Sequence, residues 1–369
     1  MRTLHICSYY IEDKFYTLFF RELENQDLLA TPYVFANKKL KAKKIDVDVS
    51  FCFNTFDRLF FHLKHRKVWK DFVALHNPRE YDLLHAHSFF SNGYIAYRSF
   101  LEFKTPYVVS IRYPDVYTFF KHMRHLRPLG KRIALNASHL IFLSPQLQNE
   151  FYSYFNHKEV ELLKQKSSVI PNGVDDFWLQ NLHYRNKMIN KPTIHFINVA
   201  RLNPIKNPEA AVKVIELLNQ KGYEVKLKFF GKIEHKKYID FLKNHPHVEY
   251  CGFTTKEELR EQYRKADIFI MLSKLETFGL VYIEAMTQGL PVIMVKNQGV
   301  SSYFQDGEVG YSINLRRLEE AVHSVRLITD NYATISHRCT EKAKEFSWKR
   351  VVEKHKKIYF GIGEQYESL

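Results

Sequence analysis

Short apolar runs alternate along the whole chain with longer segments whose apolar residues recur at helical spacing. In the first half the runs fall at residues 3–8, 33–36, 47–53, 83–87, 107–111 and 139–143. Helical stretches separate most of them, and that alternation predicts a largely parallel sheet. At Ser168-Val169-Ile170-Pro171-Asn172-Gly173-Val174-Asp175 a further strand meets turn chemistry, and a polar stretch follows to Lys191. A linker is expected there. The pattern restarts at 193–200, with a helix over 208–221, strands at 225–230 and 248–251, and a helix over 256–265. Asp267-Ile268-Phe269-Ile270-Met271-Leu272 then reads as a buried parallel strand. Thr277 suits a helix N-cap, Gly289 and Pro291 supply the stop, and residues 291–295 return as a strand. A basic amphipathic helix is predicted from Trp348 to about Phe360. The expected fold class is α/β, with one domain over 1–175, a second over 192–347, and the segment 348–369 packing back on the first.

Length and charge sharpen this picture. At 369 residues with 45% hydrophobic content, the chain suits two α/β cores rather than one. The net charge is +15, from 25 basic and 18 acidic residues up to residue 180 and 30 and 22 beyond it. Neither half is a basic tail. The excess favours an anionic partner without choosing among phosphorylated substrate, acidic lipid and nucleic acid. Cys7, Cys52, Cys251 and Cys339 are widely spaced, which argues against a disulfide framework or a zinc knuckle and for a reducing compartment. Neither a secretory leader nor a membrane-spanning apolar run is read, so the expected location is cytoplasmic.

Two constellations carry candidate chemistry. Glu276 and Glu284 bracket Phe278-Gly279-Leu280-Val281, where a loop at the carboxyl end of a strand enters a helix. Ligands bind at such ends in open α/β sheets, and the free N–H groups of the helix start favour a phosphate. Carboxylates on either side would repel the phosphate itself but suit hydroxyl groups attached to it, the description of a nucleotide sugar. The alternative is a solvated Glu276 and a Glu284 paired with a neighbouring helix. A second loop, Ala200-Arg201-Leu202-Asn203-Pro204-Ile205-Lys206, places an Arg and a Lys at the carboxyl end of the second domain's first strand. Together they could neutralise a leaving diphosphate, or be two ordinary surface cations.

Taken in order, Ile170-Pro171-Asn172-Gly173-Val174-Asp175, Ala200-Arg201-Leu202 with Lys206, Glu276-Thr277-Phe278-Gly279-Leu280, Glu284-Ala285-Met286 and Gly289-Leu290-Pro291-Val292 resemble glycosyltransferase family 4. The resemblance implies a GT-B fold, two Rossmann-like domains with parallel sheets facing an interdomain cleft. It also implies a retaining, metal-independent transfer with no bound cofactor. By position, Arg201 and Lys206 would hold the donor diphosphate, Glu276 would face the donor sugar and Glu284 the ribose. Phe278, Gly279, Leu280 and Val281 would line the phosphates, and Gly231 and Phe253 the base, with UDP- or GDP-linked donors expected over ADP-linked ones.

The first domain departs from the family pattern. The chain reads Ser110-Ile111-Arg112-Tyr113-Pro114-Asp115, with Arg112 where a His is common. Asp115 could keep its role, whereas Arg112 would bind anionic or hydroxyl groups rather than act as a base. Ser8-Tyr9-Tyr10-Ile11 lacks the usual glycines, and Ser302 stands where an acid is common. His85-Ala86-His87 sets two imidazoles on one strand face without a third ligand nearby in sequence, so no metal is assigned and His87 is read as facing the acceptor. Asp46-Val47-Asp48 reads as a solvated strand face. Residues 58–70 carry five Lys or Arg and no acid among aromatics, and 119–127 repeat the flavour. Both suit either ordinary amphipathic packing or an anionic membrane surface.

The expected function is transfer of a sugar from a nucleotide-diphosphate donor to a lipid-linked glycan in surface-polysaccharide synthesis, with peripheral contact at the inner membrane face and no nucleic acid bound. The rivals are a nucleotide-sugar epimerase of the same fold and a noncatalytic basic nucleotide- or nucleic-acid-binding protein.

Overall fold

The computed structural model describes residues 1–11, 15–40, 47–186, 193–243 and 245–367. The chain divides into two units, Met1–Gly173 with Trp348–Leu369, and Val174–Ser347.

The first unit is built on seven strands: β1 (Arg2–Ile6), β2 (Leu29–Asn37), β3 (Val49–Phe53), β4 (Leu83–Ala86), β5 (Tyr107–Ile111), β6 (His139–Phe142) and β7 (Ser167–Val169). Their order is β3-β2-β1-β4-β5-β6-β7, and every pairing is parallel. Every residue of β4 and β5 is buried. This is what a parallel sheet covered on both faces requires, and why those strands read as apolar runs, interrupted only by His85 and Ser110, rather than alternating ones. The helix Trp348–Glu367 belongs to this unit, where Trp348, Val351, Val352 and Tyr359 share a core with Phe19 and Leu23 of helix Phe15–Asn25. At Gly173 a side chain would meet the Trp348 ring, with Cβ only 2.3 Å from it. Asp48 is exposed just before β3, and Asp46 lies outside the described residues.

The second unit carries β8 (Thr193–Val199), β9 (Glu224–Phe230), β10 (Val248–Gly252), β11 (Ile268–Ile270), β12 (Val292–Val295) and β13 (Gly310–Ile313), in the order β10-β9-β8-β11-β12-β13. It too is parallel throughout. Residues 174–186 join this unit, where Trp178 is buried and Arg185 binds buried Asp267 at 2.7 Å. In both sheets the first strand lies between the second and the fourth, so the chain reverses direction across β1/β4 and across β8/β11. Loops leaving the two strands of such a pair diverge and open a crevice at their carboxyl ends.

One local expectation fails. The helix after β11 spans Leu280–Thr287 and is capped by Gly279, not Thr277. Gly279 has φ 90°, and a Cβ there would sit 2.6 Å from the Tyr282 ring. Only glycine adopts that backbone without strain, so the helix cannot begin two residues earlier.

Candidate functional site

At the β8/β11 switch the loop after β8 is shaped by Asn203, whose Oδ1 accepts the N–H groups of Ile205 and Lys206, both at 3.0 Å. It is stitched to the loop after β11 by Asn207 Nδ2 donating to the Leu272 carbonyl at 3.0 Å and by the Lys274 N–H to the Ile205 carbonyl at 2.8 Å. That stitching brings Lys206 Nζ to 2.6 Å from Glu276 Oε2, with Glu276 9% exposed. Ser273 Oγ donates to the same oxygen at 3.3 Å. The loop after β12 completes the frame: Gln298 Oε1 accepts the Glu276 N–H at 2.8 Å, and its Nε2 donates to the Lys274 carbonyl at 3.1 Å.

Arg201 lies differently. It is 75% exposed, and its Nη1 only approaches Glu234 at 3.4 Å, leaving a side chain able to swing toward an anion. Gly231, at the end of β9, has φ 126°, and a Cβ there would meet the Ala200 carbonyl oxygen at 2.0 Å. The close approach of that backbone to the Arg201 loop therefore demands glycine.

The helix end at Gly279, Leu280 and Val281 presents first-turn N–H groups that have no acceptor within the helix. Glu284, one turn in, is half-buried, and burial raises its carboxyl to about 7, countered by Lys256 and reinforced by Asp175. Lys256 is engaged with Asp175 in an ion pair. Glu284 is thus a carboxylate partly stripped of water beside a cation committed elsewhere, an arrangement suited to accepting hydrogen bonds from paired hydroxyls. Phe278 offers only backbone here, because its ring is buried against Tyr303 and Phe346 at 5.8 and 5.7 Å. Phe253, by contrast, is 84% exposed just past β10.

In the first unit, Asp115 is turned inward. Its carboxylate accepts the N–H groups of Phe89, Phe90 and Arg112 at 2.9, 3.1 and 2.8 Å, tying the loop after β4 to the loop after β5. Burial raises its pKa to about 6 against those donors. Arg112 Nε donates to the His87 carbonyl and its Nη1 to Asn172 Oδ1, both at 3.2 Å, with Phe15 and Tyr16 rings beside the guanidinium.

His87 is buried, and the third imidazole absent from its sequence neighbourhood is His5 on β1. Their tautomers follow from a chain of bonds. Thr3 Oγ1 donates to the Leu29 carbonyl at 3.3 Å and so accepts from His5 Nε2 at 3.0 Å. His5 Nδ1 is then the acceptor for His87 Nε2–H at 3.0 Å, which leaves His87 Nδ1 as a bare lone pair without a partner. Burial lowers the pKa of His5 to about 3 and that of His87 well below its usual value, so both rings are neutral. His85 is satisfied separately by Tyr359 at 2.6 Å and Ser110 at 2.8 Å. A divalent cation would enter this cluster only by replacing these bonds beside the Arg112 guanidinium. His87 and the Trp348 indole, whose Nε1 also lacks a partner, line a cavity of about 20 Å3, room for one water.

Residues 182–346 match the model for glycosyl transferases group 1, and residues 27–176 match the model for glycosyltransferase family 4. The chain belongs to glycosyltransferase family 4. It is a glycosyltransferase of the GT-B type. An uncharacterised protein of the Klebsiella pneumoniae cps region is 24% identical over 73% of this transferase and 74% of its own length. The sulfoquinovosyl transferase SQD2 of Arabidopsis thaliana is 28% identical over 44% of this chain, but the match spans only 32% of that protein. A probable sucrose-phosphate synthase of Thermosipho melanesiensis is 29% identical, over 62% of this chain and 54% of its own. Among solved structures, Anabaena HepE in complex with UDP superposes with a TM-score of 0.70 at 21% identity, covering all of both chains. The lipopolysaccharide outer core galactosyltransferase WaaB gives 0.74 at 15%, covering 98% of this transferase and 99% of WaaB.

Of the residues singled out from sequence, the fold of the transferase gathers Lys206, Glu276, Gly279, Leu280 and Val281 at one switch point, with Arg201 exposed at the start of the Lys206 loop. Asp115 and Phe278 are drawn into packing instead. Gln298, Asn203 and Lys256 escaped sequence reading: each acts through a contact with a residue more than one element away, save for Asn203, whose Asn-Pro turn signature was legible but unused.

Proposed function

We propose that this protein is a retaining, metal-independent glycosyltransferase that moves a sugar from a nucleotide-diphosphate donor, with a UDP sugar the first choice, to a lipid-linked glycan in surface-polysaccharide synthesis. The observation carrying this reading is the 2.6 Å pair of Lys206 and Glu276 at the β8/β11 switch, next to the amino end of helix Leu280–Thr287. Lys206, Arg201 and the helix N–H groups concentrate positive charge where a diphosphate would leave, the role a cation fills elsewhere. Glu284 accepts the ribose hydroxyls. Glu276, already bonded to Lys206 and Ser273, orients sugar hydroxyls and is poorly placed to be a nucleophile.

In this reading the bond from the anomeric carbon to the diphosphate oxygen breaks as the acceptor oxygen forms its bond on the same face. The acceptor proton passes to the departing phosphate oxygen. Transfer is then a matter of stabilising leaving-group charge and aligning the acceptor. Support for the donor comes from HepE, solved with UDP and with UDP-glucose, and for the pathway from the cps-region relative and WaaB. Among the described residues no helix is long and apolar enough to cross a membrane, and we place the reaction at the cytoplasmic face with peripheral contact.

The test is a thermal-shift screen of UDP-, GDP- and ADP-sugars, followed by transfer assays on lipid-linked acceptors with and without EDTA. Stabilisation by one nucleotide class and EDTA-resistant transfer with retained anomeric configuration are expected. Undiminished transfer by Arg201→Ala/Lys206→Ala would refute the diphosphate assignment, and donor epimerisation without acceptor would favour the rival activity.

A further inference from the structure

The two basic aromatic stretches are brought together by the fold of the first unit. Arg58, Leu59, Phe61 and Lys64 from one, and Phe119 and Met123 from the other, line a single pocket of about 390 Å3. Its floor is the carboxyl end of the sheet, with Ser8 and Tyr9 after β1, Phe35 on β2 and Phe53 on β3. The pocket therefore opens on the same edge as His87 and Arg112.

Its chemistry is unbalanced. Lys64 Nζ lies 5.0 Å from the Phe53 ring centroid and 5.7 Å from that of Phe35, and its hydrogen bond is to Ser91 Oγ at 3.3 Å. The Arg58 guanidinium stands 5.9 Å from the same Phe53 ring. Among the described residues lining the pocket there is no carboxylate. Lys64 is half-buried and Arg58 is exposed beside it; a partly desolvated ammonium against aromatic walls without an acid is poised for an anion, with a second cation at hand. Burial, with Arg58 adding to it, lowers the Lys64 pKa to about 8, as expected of an ammonium held without a counter-charge.

His65 gives an independent sign. It is 1% exposed, and its Nδ1 donates to the Phe61 carbonyl at 2.7 Å. Its Nε2, a bare acceptor, has no partner. The pocket it lines thus offers cations for an anion beside an imidazole whose Nε2 is buried and unsatisfied.

The rim is of a different character. Leu59 is 74% exposed, and Phe56 and Phe60 beside it are 65% and 52% exposed. Leu40 and Met123 also stand out at the pocket edge. Large apolar side chains grouped in water beside unpaired cations match a ligand with an anionic head and an apolar tail.

We propose that this pocket seats the phosphate of a lipid-linked acceptor, with Lys64 and Arg58 on the phosphate, His65 Nε2 on a neighbouring hydroxyl, and the Phe56–Phe60 rim on the lipid chain; this presupposes the transferase function above. The volume admits a phosphate and the first carbons of the chain, and the rest of the chain runs out over the rim into the bilayer.

The test is co-sedimentation of the full chain with phosphatidylcholine vesicles carrying a polyprenyl phosphate. Controls are plain phosphatidylcholine, phosphatidylglycerol at equal surface charge, and soluble glucose 1-phosphate as competitor. Wild type should prefer the polyprenyl phosphate vesicles over phosphatidylglycerol. Lys64→Met should weaken that preference about tenfold, the scale of one charge-assisted contact, with an unchanged or raised Tm. Leu59→Ser, at an exposed site where folding is not at stake, should weaken binding to every vesicle. Equal binding to both anionic vesicles, full competition by glucose 1-phosphate, or wild-type behaviour of Lys64→Met would each overturn the proposal. A titration of the same preparations with UDP-, GDP- and ADP-sugars reads the second unit separately: donor binding without lipid-phosphate preference defeats this proposal alone, whereas binding of no donor defeats the transferase reading.

Discussion

Glu284→Gln separates the stability of the second unit from its function. The fold raises this carboxyl from 4.5 to about 7, chiefly by burial. A raised acid pKa means that the folded protein holds the proton more tightly than the unfolded chain, so ionisation opposes folding. The opposition is absent below about pH 4.5, grows as pH rises toward 7 and is complete above it. At about 1.4 kcal/mol per pKa unit the full effect is about 3 kcal/mol, and partial exposure reduces it to about 1–3 kcal/mol. For a unit of this size that corresponds to about 3–10 °C in Tm. Gln cannot ionise, so the variant should melt above wild type at pH 8.5, with the gap closing by pH 4.5. Comparing the two pH values cancels any constant effect of the amide on packing. The same variant should bind a UDP sugar at least about tenfold more weakly, because one of two carboxylate–hydroxyl bonds becomes a weaker amide contact. Calorimetric melts across pH and isothermal titration measure the two effects. A Tm difference independent of pH would refute the buried-charge reasoning, and unchanged donor affinity would refute the ribose assignment.

Other expectations follow from the same frame. Lys206→Ala leaves Glu276 buried without its cation and should cost about 2–4 kcal/mol by denaturant titration, with transfer nearly abolished. Gly231→Ala forces a Cβ against the Ala200 carbonyl at positive φ and should destabilise by about 2 kcal/mol or more; donor affinity falls with it, because the Arg201 loop must shift. Gln298→Ala removes its bonds to the Glu276 N–H and the Lys274 carbonyl while leaving the ties through Asn207 and the Lys274 N–H, so kcat should fall about tenfold with a Tm change of only a few degrees. Asp115→Ala strands three backbone N–H groups and should lower stability by about 2–4 kcal/mol, visible as a lower Tm even without substrate.

The parallel sheets were legible because buried strands of this kind are mostly apolar without alternation: β5 and β6 were placed within a residue from their composition alone, despite Ser110 and His139. The start of helix Leu280–Thr287 was misplaced because Thr277 is a good cap by type, and the Gly279–Tyr282 collision that decides the matter is a contact between backbone and ring. The candidate site residues stood out as short motifs, because cations, acids and glycine cluster there in loops at the carboxyl ends of strands, where open α/β sheets bind ligands. What each side chain touches was not. Asp115 resembled a ligand and proves to be a loop clamp, while Gln298 carries no motif and holds Glu276 in place.

By itself, then, the chain's residue pattern determined the α/β class, the strands and the chemical inventory of the donor loops, because these depend on local propensity and on the period with which apolar side chains recur. The tertiary structure alone decided that Lys206 meets Glu276, that His5 joins His85 and His87, and that residues 58–65 and 119–126 close around one cationic pocket. Those meetings depend on strand order, which places β1 beside β4 and β8 beside β11, and strand order is set by packing of whole elements rather than by any residue's neighbours in sequence.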